Sequence, residues 1–467
     1  SASILLAVSQ TSDPTGDWRL STVNVDPDNY YYYYYYDFYG NTATADYISL
    51  GFNKQWIVVT ANVQPLYISD FYSTYSGENI FVFDKQSLLT NGPAGYTILE
   101  LPNDNTIYGY TAFSMVPSVT YDESLSEMYL VDVDDMMGGV GYSSVGTRLR
   151  VSKLTGEVGH PILHLGVAYT PTVASWANQE PYTFGTAPQL GSFERIALND
   201  ARIQNLVYRN GSLWCTHTVF LPSLSPRYSA VQWWQIGTDQ TGTNAAVLQF
   251  GRIEDPQGRQ FFAYPSLAVN HCNDVLIGYS GFSSNQYASA YYSFRLGSDP
   301  AGTLQDPRLF KAGEAPYARA GTNFFNGNSW GSYSATVVDP VNDLDMWTLQ
   351  EYAASPVAGV DRWGTWWARV DVAGITQCGQ VQFAAKKFEV LEGAPAGVAT
   401  IAVTNFTGMA GSVKFVTSDG TAIAGVDYNA RNGTLTFAPG QKTASFNIVI
   451  QDDGVVNSNR TVNLSLF

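Results

Sequence analysis

The sequence predicts an all-β protein made of two domains. One hairpin motif recurs five times between residues 46 and 351. Only 14% of the 467 residues are charged, and aromatic residues make up a further 14%, a balance that favours sheets over helices. No long stretch carries apolar side chains at helical spacing, so long helices are not expected.

The recurring motif consists of two short apolar strands joined by a polar turn, and its clearest copy is YPSLAVNHCNDVLIGYS. Repeats spaced by roughly 60 to 85 residues, each the length of a four-stranded sheet with its loops, are typical of a β-propeller. We therefore predict a propeller of about six or seven blades over residues 1–371. Residues 1–26 match the later strands of a repeat, so the first blade is expected to lack its innermost strand. The five copies are Asp46–Ala61, Pro117–Asp132, Ala201–Thr218, Tyr264–Ser280 and Ser332–Glu351.

A second strand pattern is predicted to close each repeat as its outer strand. Five tryptophans lie on these strands, and we expect them to pack between blades. They are Trp233, Trp234, Trp363, Trp366 and Trp367. The predicted outer strands are Ile80–Asp84, Arg148–Lys153, Ala230–Ile236, Ala290–Leu296 and Thr365–Val370.

The net charge argues against some classes of binding partner, and the cysteine count indicates the state of the thiols. The net charge of −16 argues against binding nucleic acid or an anionic membrane, and it is compatible with divalent cations. No apolar run is long enough to span a membrane, and no signal peptide is recognised, so no membrane insertion is predicted. The three cysteines are expected as free buried thiols, with a Cys215–Cys272 bridge as the alternative.

A run of seven consecutive tyrosines occupies residues 30–36. In a strand, alternate rings point to opposite faces, so about half of them could not enter one core. Exposed tyrosines offer flat contact surface to sugars and proteins. We therefore name Tyr30, Tyr32, Tyr34 and Tyr36 as candidate binding residues. The alternative is a loop whose rings pack on each other.

The propeller region resembles a group of secreted bacterial β-propellers described as sialidase-like. The resemblance is carried by AVSQTSDPTGDW, DYISLGFNKQW, VFDK and WGSYSATVVDP. It implies architecture more than reaction type. A sialidase would require three arginines that converge on the substrate carboxylate, and no spacing marks such a triad. The candidates are Arg195, Arg202, Arg227, Arg252, Arg259 and Arg319.

An acidic cluster follows one inner strand of the propeller. Asp132, Asp134 and Asp135 lie in VDVDDMMGG. We predict a solvated turn at this cluster, with a metal site as the alternative.

After a predicted linker at residues 372–380, residues 381–467 show the strand lengths of an immunoglobulin-like sandwich. The motifs DGTA, AG, DY, GTLTFAPGQ and DD resemble the Calx-β domain. That resemblance implies calcium bound by carboxylates at one end of the sandwich. The implied ligands are Glu392, Asp427, Asp452 and Asp453.

One departure from the Calx-β pattern puts calcium in question. Asn457, Ser458, Asn459 and Arg460 stand where the family often supplies further glutamates. An arginine would repel a divalent ion and pair with Asp427 or Asp452 instead. The sequence therefore leaves open a calcium site and a cation-free structural domain.

Together these patterns predict a secreted or cell-surface bacterial protein. The preferred hypothesis is a non-catalytic binding, adhesion or matrix protein whose propeller contacts an extracellular glycan or protein, with the Calx-β domain as spacer. One alternative is a sialidase-like carbohydrate hydrolase with its site in the propeller funnel. Another is a subunit of an extracellular filament that assembles with other chains. A hydrolase should show carboxylates and arginines with perturbed pKa values at the funnel.

Overall fold

A computed structural model describes most of the chain. The described residues are 3–25, 43–65, 77–91, 95–102, 113–122, 125–133, 145–146, 148–166, 175–177, 185–238, 245–319, 323–324, 327–340, 342–371, 381–393, 397–405, 410–438, 440–452, 454 and 458–466. The chain divides into two compact units. The first comprises Ser1–Val269, Asn273–Val337 and Trp347–Arg369, and the second comprises Asn270–Cys272, Val338–Met346 and Val370–Phe467.

Strands dominate the described part of the chain before residue 371. Its one helix there is α1 (Lys85–Asn91), which spans only 7 residues, so the expectation of no long helix is confirmed. The strands are β1 (Ser3–Ser9), β2 (Trp18–Asn24), β3 (Ala43–Phe52), β4 (Trp56–Pro65), β5 (Gly77–Asp84), β6 (Tyr96–Pro102), β7 (Val116–Pro117), β8 (Met128–Val133), β9 (Val145–Gly146), β10 (Leu149–Glu157), β11 (His160–His164), β12 (Trp176–Ala177), β13 (Thr186–Gln189), β14 (Ser192–Ala197), β15 (Ile203–Arg209), β16 (Ser212–Leu221), β17 (Tyr228–Thr238), β18 (Ala245–Ile253), β19 (Phe261–Val269), β20 (Val275–Ser283), β21 (Gln286–Arg295), β22 (Arg308–Lys311), β23 (Asn323–Phe324), β24 (Gly327–Asn328), β25 (Ala335–Val338), β26 (Met346–Val357) and β27 (Val360–Val370).

The five predicted hairpins form the first two strands of five sheets. Four sheets have a fourth strand, β6, β11, β18 or β22, beyond the strand predicted to close the repeat. The predicted outer strands are therefore third strands, because the more polar fourth strands gave no clear pattern. The sheets run β3-β4-β5-β6, β7-β8-β10-β11, β15-β16-β17-β18, β19-β20-β21-β22 and β25-β26-β27.

The innermost strands of these sheets lie side by side around one axis. Phe52 and Val119 form a parallel bridge, and Val119 forms another with Val207. The Leu267 amide donates to Asn205 Oδ1 (3.0 Å), and the Ser266 and Thr336 hydroxyls are 2.8 Å apart. These contacts link successive inner strands in chain order, as the blades of a β-propeller require. The predicted propeller is confirmed.

Burial follows from this radial stacking. Every residue of β16, β19 and β20 is buried, because each central strand is covered by a blade on both faces. β1 and β2 form a two-stranded sheet that packs on β4 and β5 through Ile4, Val23, Val59 and Phe81.

The tryptophans divide into two groups. Trp233 and Trp234 are fully buried, as predicted. Trp363 is 46% exposed, Trp366 is 48% exposed and Trp367 is 63% exposed. The prediction that these three pack between blades is therefore wrong. They lie on β27, which among the described residues is the edge strand of a three-stranded sheet, and no further strand covers them there.

The C-terminal part is a sandwich of two three-stranded sheets. A stacked contact between Phe415 and Phe446, with ring centroids 3.8 Å apart, joins the two sheets. Tyr428 is buried in the same core. One sheet contains β28 (Val381–Phe383), β29 (Val398–Asn405) and β32 (Thr443–Val449), and the other contains β31 (Asn432–Phe437), β30 (Gly411–Asp419) and β33 (Val462–Leu466).

The cysteines differ from the prediction. Cys215 is a free, buried thiol, and burial raises its pKa. Cys272 is disulfide-bonded, so the expectation of free thiols is wrong for it. In the part of the chain that the structure describes, no helix is both long enough and apolar enough to cross a membrane.

Candidate functional site

The inner strands of the propeller carry bulky residues in a strained backbone conformation. Tyr47 of β3 has φ +52° and Tyr264 of β19 has φ +56°, while Ser114, just before β7, also has φ +52°. The strand register shifts across Tyr47 and across Tyr264. A positive φ is unusual for tyrosine, and a bulge redirects the side chain. Such strain concentrates at functional sites.

An arginine links three of these strands. The guanidinium of Arg202, just before β15, donates from Nε and Nη2 to both carboxylate oxygens of Asp200 at 2.7 and 2.5 Å. Its Nη1 donates to Ser114 Oγ at 3.0 Å. Its flat face lies over the Tyr47 ring, 3.3 Å from the centroid. Asp200 thereby compensates the charge of Arg202, and the guanidinium connects residues of neighbouring blades.

Tyr264 lies among these groups. Its hydroxyl donates to the Ala197 carbonyl at 2.7 Å, and the side chain is buried. Burial raises its pKa strongly, and the nearby Tyr47, Asp200 and Glu351 add to the rise. Burial also raises the pKa of Tyr47. Both phenols therefore stay protonated and can donate hydrogen bonds.

Glu351 of β26 supplies the acid of this region. Its carboxylate lies against the backbone of Gly331, where an added Cβ would approach both oxygens to 1.9 Å. Burial raises the pKa of Glu351 to about 7. Among the described residues its carboxylate has no hydrogen-bond partner. A carboxyl in this setting is protonated in a large fraction of molecules at neutral pH and is able to give up its proton.

The solvent-facing edge is aromatic and acidic. Tyr333 is 57% exposed, and its ring centroid lies 6.2 Å from that of Tyr47. The Tyr47 amide donates to the carboxylate of Asp46 at 2.9 Å, and Asp46 is exposed. We call Tyr47, Asp200, Arg202, Tyr264, Tyr333 and Glu351 the inner-strand cluster.

Three of the other candidate arginines have local partners. Arg195 bonds Thr186, Arg252 bonds Gln232, and Arg259 bonds Asp255. Arg202 is the candidate that the described hydrogen bonds place in the inner-strand cluster.

A second buried charged group lies nearby on β5, β8 and β10. Asp132 is fully buried and accepts from Arg150 at 3.1 and 2.5 Å, so the predicted solvated turn is wrong at this residue. Asp134 and Asp135 lie outside the described residues. Burial and the neighbouring Asp132 raise the pKa of Glu78 well above its usual range, while its Oε1 accepts from the Met115 amide at 2.7 Å. Glu78 is thus a neutral side chain that stabilises the segment directly before β7.

In the sandwich, two of the carboxylates named for calcium, Asp427 and Asp452, have other partners. Asp427 Oδ2 accepts from the Ile423 amide at 2.7 Å, and its Oδ1 pairs with Arg460. Asp452 Oδ1 accepts from the Gly454 amide at 2.8 Å. Glu392 is half-buried. No group of three or more potential metal-ligating side chains occurs in the described part of the chain. Those residues do not fit a calcium ion as they stand, because a guanidinium holds the central carboxylate.

The remaining predicted site residues lie outside the described residues. They are Tyr30, Tyr32, Tyr34 and Tyr36, and Asp453. Sequence reasoning identified Arg202 as a candidate but missed Tyr47, Tyr264 and Glu351. The position of the two tyrosines in the repeat could have identified them. Tyr47 and Tyr264 each lie at the start of a recurring hairpin, which places both on inner strands near the propeller axis.

Comparison with known proteins identifies the second domain. The family model for the Calx-beta domain matches residues 375–467, which confirms the predicted resemblance. The apo-form CBD1 domain of Calx is similar at 31% identity, covering 19% of this chain and 77% of that chain, with a TM-score of 0.18 over the whole chain. No curated protein matches the sequence.

Two structures that match a larger share of the chain are more distant. A sialidase from Trypanosoma rangeli is 11% identical and covers 69% of this chain and 46% of that chain, with a TM-score of 0.35. An exo-beta-1,3-galactanase from Clostridium thermocellum is 11% identical and covers 86% of this chain and 75% of that chain, with a TM-score of 0.36. At these values, neither likeness bears on ligand or reaction.

Proposed function

We propose that this chain is an extracellular carbohydrate-binding protein whose ligand site is the inner-strand cluster. The observation that carries the proposal is the meeting of two strained tyrosines, Tyr47 and Tyr264, with the carboxyl of Glu351, which has no hydrogen-bond partner among the residues that the structure describes. Strain at bulky residues is retained where the surrounding structure gains from their placement.

The chemistry of the cluster suits a neutral sugar. Aromatic rings pack on the apolar faces of sugar rings, and phenol hydroxyls donate to sugar oxygens. Arg202 is compensated by Asp200, so this arginine offers no spare positive charge to attract a strongly anionic ligand. This argues for neutral oligosaccharides over sialylated ones.

Two observations support an extracellular location. Cys272 is disulfide-bonded, and disulfides persist mainly in oxidising compartments. The Calx-β match adds a domain that would act as spacer. An adhesion or matrix role follows if the bound glycan is attached to a surface.

The test is binding of a panel of neutral and sialylated oligosaccharides to the full chain. Tyr333→Ala should weaken binding of the best neutral oligosaccharide about tenfold, equal to about 1.4 kcal/mol, because it removes the exposed ring of the cluster. Trp363→Ala is the matched control, since Trp363 is also exposed but lies on β27. The proposal fails if no oligosaccharide binds, or if only Trp363→Ala reduces binding.

Glycoside hydrolysis is the second candidate, and the pKa of Glu351 favours it. A carboxyl with a pKa of about 7 is suited to protonate a leaving-group oxygen. Glu351→Gln keeps the shape and a hydrogen-bond donor but cannot transfer a proton. If the protein is a hydrolase, this variant should bind the same oligosaccharide and lose at least about a hundredfold in rate. A wild type that binds sugar and leaves it intact supports the binding role alone.

A further inference from the structure

The carboxylate end of the sandwich contains a built-in positive charge. The Arg460 guanidinium contacts Asp427 through Nη1 and Oδ1. Asp427 is 8% exposed, and the arginine side chain is 34% exposed. A largely buried carboxylate requires a nearby positive charge or several hydrogen bonds, and Arg460 supplies the charge.

The backbone next to Arg460 is fixed independently of this ion pair. The Thr461 amide donates to Thr421 Oγ1 at 2.8 Å, and the Thr421 amide donates back to Thr461 Oγ1 at 3.1 Å. The Ala422 amide also donates to the Thr461 carbonyl at 3.0 Å. These three hydrogen bonds hold the start of β33 on the loop that contains Asp427. The backbone that carries the Arg460 guanidinium is therefore fixed beside Asp427.

The loop itself is satisfied by its own hydrogen bonds. Asp419 Oδ1 accepts from the Ala424 amide at 2.9 Å and from the Tyr428 hydroxyl at 2.8 Å. Asp427 Oδ2 accepts from the Ile423 amide. Calcium needs six to eight oxygens, whereas these carboxylate oxygens already bond amide, hydroxyl and guanidinium donors.

We propose that Arg460 takes the place of a divalent cation in this Calx-β domain, so that the sandwich is held in its folded form without calcium. The domain then has no calcium switch at Asp427. A guanidinium is always charged, so this arrangement is independent of the calcium level outside the cell. The inference concerns the sandwich alone and stands whether or not the propeller binds sugar.

The experiment measures thermal unfolding of the full chain in EGTA and in millimolar CaCl₂, with MgCl₂ as the ionic control. The wild type should melt at the same temperature in all three. Arg460→Met should lower the melting temperature of the sandwich transition in EGTA by a few degrees, because Asp427 loses its counter-charge. Arg460→Lys, which keeps a positive charge, should recover most of that loss.

Calcium alone is then the probe for the position beside Asp427 that the Arg460 guanidinium occupies in the wild type. Arg460→Glu adds a carboxylate beside Asp427, so CaCl₂ and not MgCl₂ should raise its melting temperature above the EGTA value. The proposal is overturned if CaCl₂ stabilises the wild type and Asp427→Asn removes that effect. It is equally overturned if Arg460→Met and Arg460→Glu melt in EGTA like the wild type.

Discussion

The propeller and the sandwich each contain an arginine–aspartate pair, and the two pairs have opposite consequences. In the propeller, Arg202 and Asp200 bind each other through two hydrogen bonds, and the buried acid Glu351 lies close by. In the sandwich, Arg460 binds Asp427, the carboxylate that the family resemblance marks as a ligand. An arginine–aspartate pair can therefore stabilise a candidate ligand site by connecting its strands. It can also block a metal site by binding the carboxylate that the metal would need.

The burial of the two pairs separates them energetically. Asp200 and Asp427 are similarly buried, at 13% and 8% exposed, but the side chain of Arg202 is 8% exposed and that of Arg460 is 34% exposed. Breaking a buried pair leaves a lone charge in a poorly solvated place, whereas a partly exposed pair is replaced more readily by water. The largest predicted effects therefore belong to the propeller.

Replacing the propeller arginine should give the largest effect. We expect Arg202→Met to lower the free energy of unfolding by about 3–5 kcal/mol, because it breaks a pair with two buried members and also removes the hydrogen bond to Ser114 and the contact with the Tyr47 ring. Arg460→Met should cost roughly 1 kcal/mol. Urea denaturation, with both transitions resolved, measures the two losses. The double change Asp200→Asn with Arg202→Met should recover part of the loss, and equal costs for the two single arginine variants would contradict the comparison.

The cysteines offer a second comparison between the units. Reductant should lower the free energy of unfolding by about 2–4 kcal/mol, because it opens the disulfide of Cys272. Cys215→Ala should remain equally sensitive to reductant, since Cys215 is already free. Cys272→Ala should lose the sensitivity altogether. Thermal melts of the three proteins with and without reductant make the comparison, and a reductant response that survives in Cys272→Ala would refute it.

The third prediction concerns the pH dependence of stability through Glu351. Its pKa is about 7 in the folded protein against a usual 4.5. The folded state therefore holds this proton where the unfolded state has lost it. The stabilisation is fully present below about pH 4.5 and is lost as the pH rises to about 7. The loss is at most about 3.5 kcal/mol, since the two pKa values differ by about 2.5 and one pKa unit corresponds to about 1.4 kcal/mol.

The Glu351→Gln variant isolates this contribution from those of other acids such as Glu78. The difference in unfolding free energy between wild type and Glu351→Gln should change between pH 4.5 and pH 7 and stay constant at higher pH. A difference that is flat over the whole interval would show that Glu351 titrates normally. Gly331→Ala, which collides with the Glu351 carboxylate, should abolish the same pH effect.

Much of the architecture was predictable because it depends on local patterns. Alternating apolar residues and polar turns define hairpins such as Tyr264–Ser280, and their repetition implies a ring, since repeated sheets bury their faces only against each other. The turn and strand motifs around Asp427 and Tyr428 likewise predicted the sandwich. The exposed tryptophans of β27 escaped prediction because a sequence does not show which strand ends a sheet.

The sequence alone determined the recurring hairpins, the division between two β domains and the availability of Arg460 as a competitor for calcium. Only the tertiary structure decided that Tyr47, Arg202, Tyr264 and Glu351 meet, because they come from four different sheets and are separated by up to several blades of chain. The altered pKa of Glu351 arises in the same way. It depends on which backbone covers the carboxylate, Gly331 in this protein, and that is fixed only when the strands close around their axis.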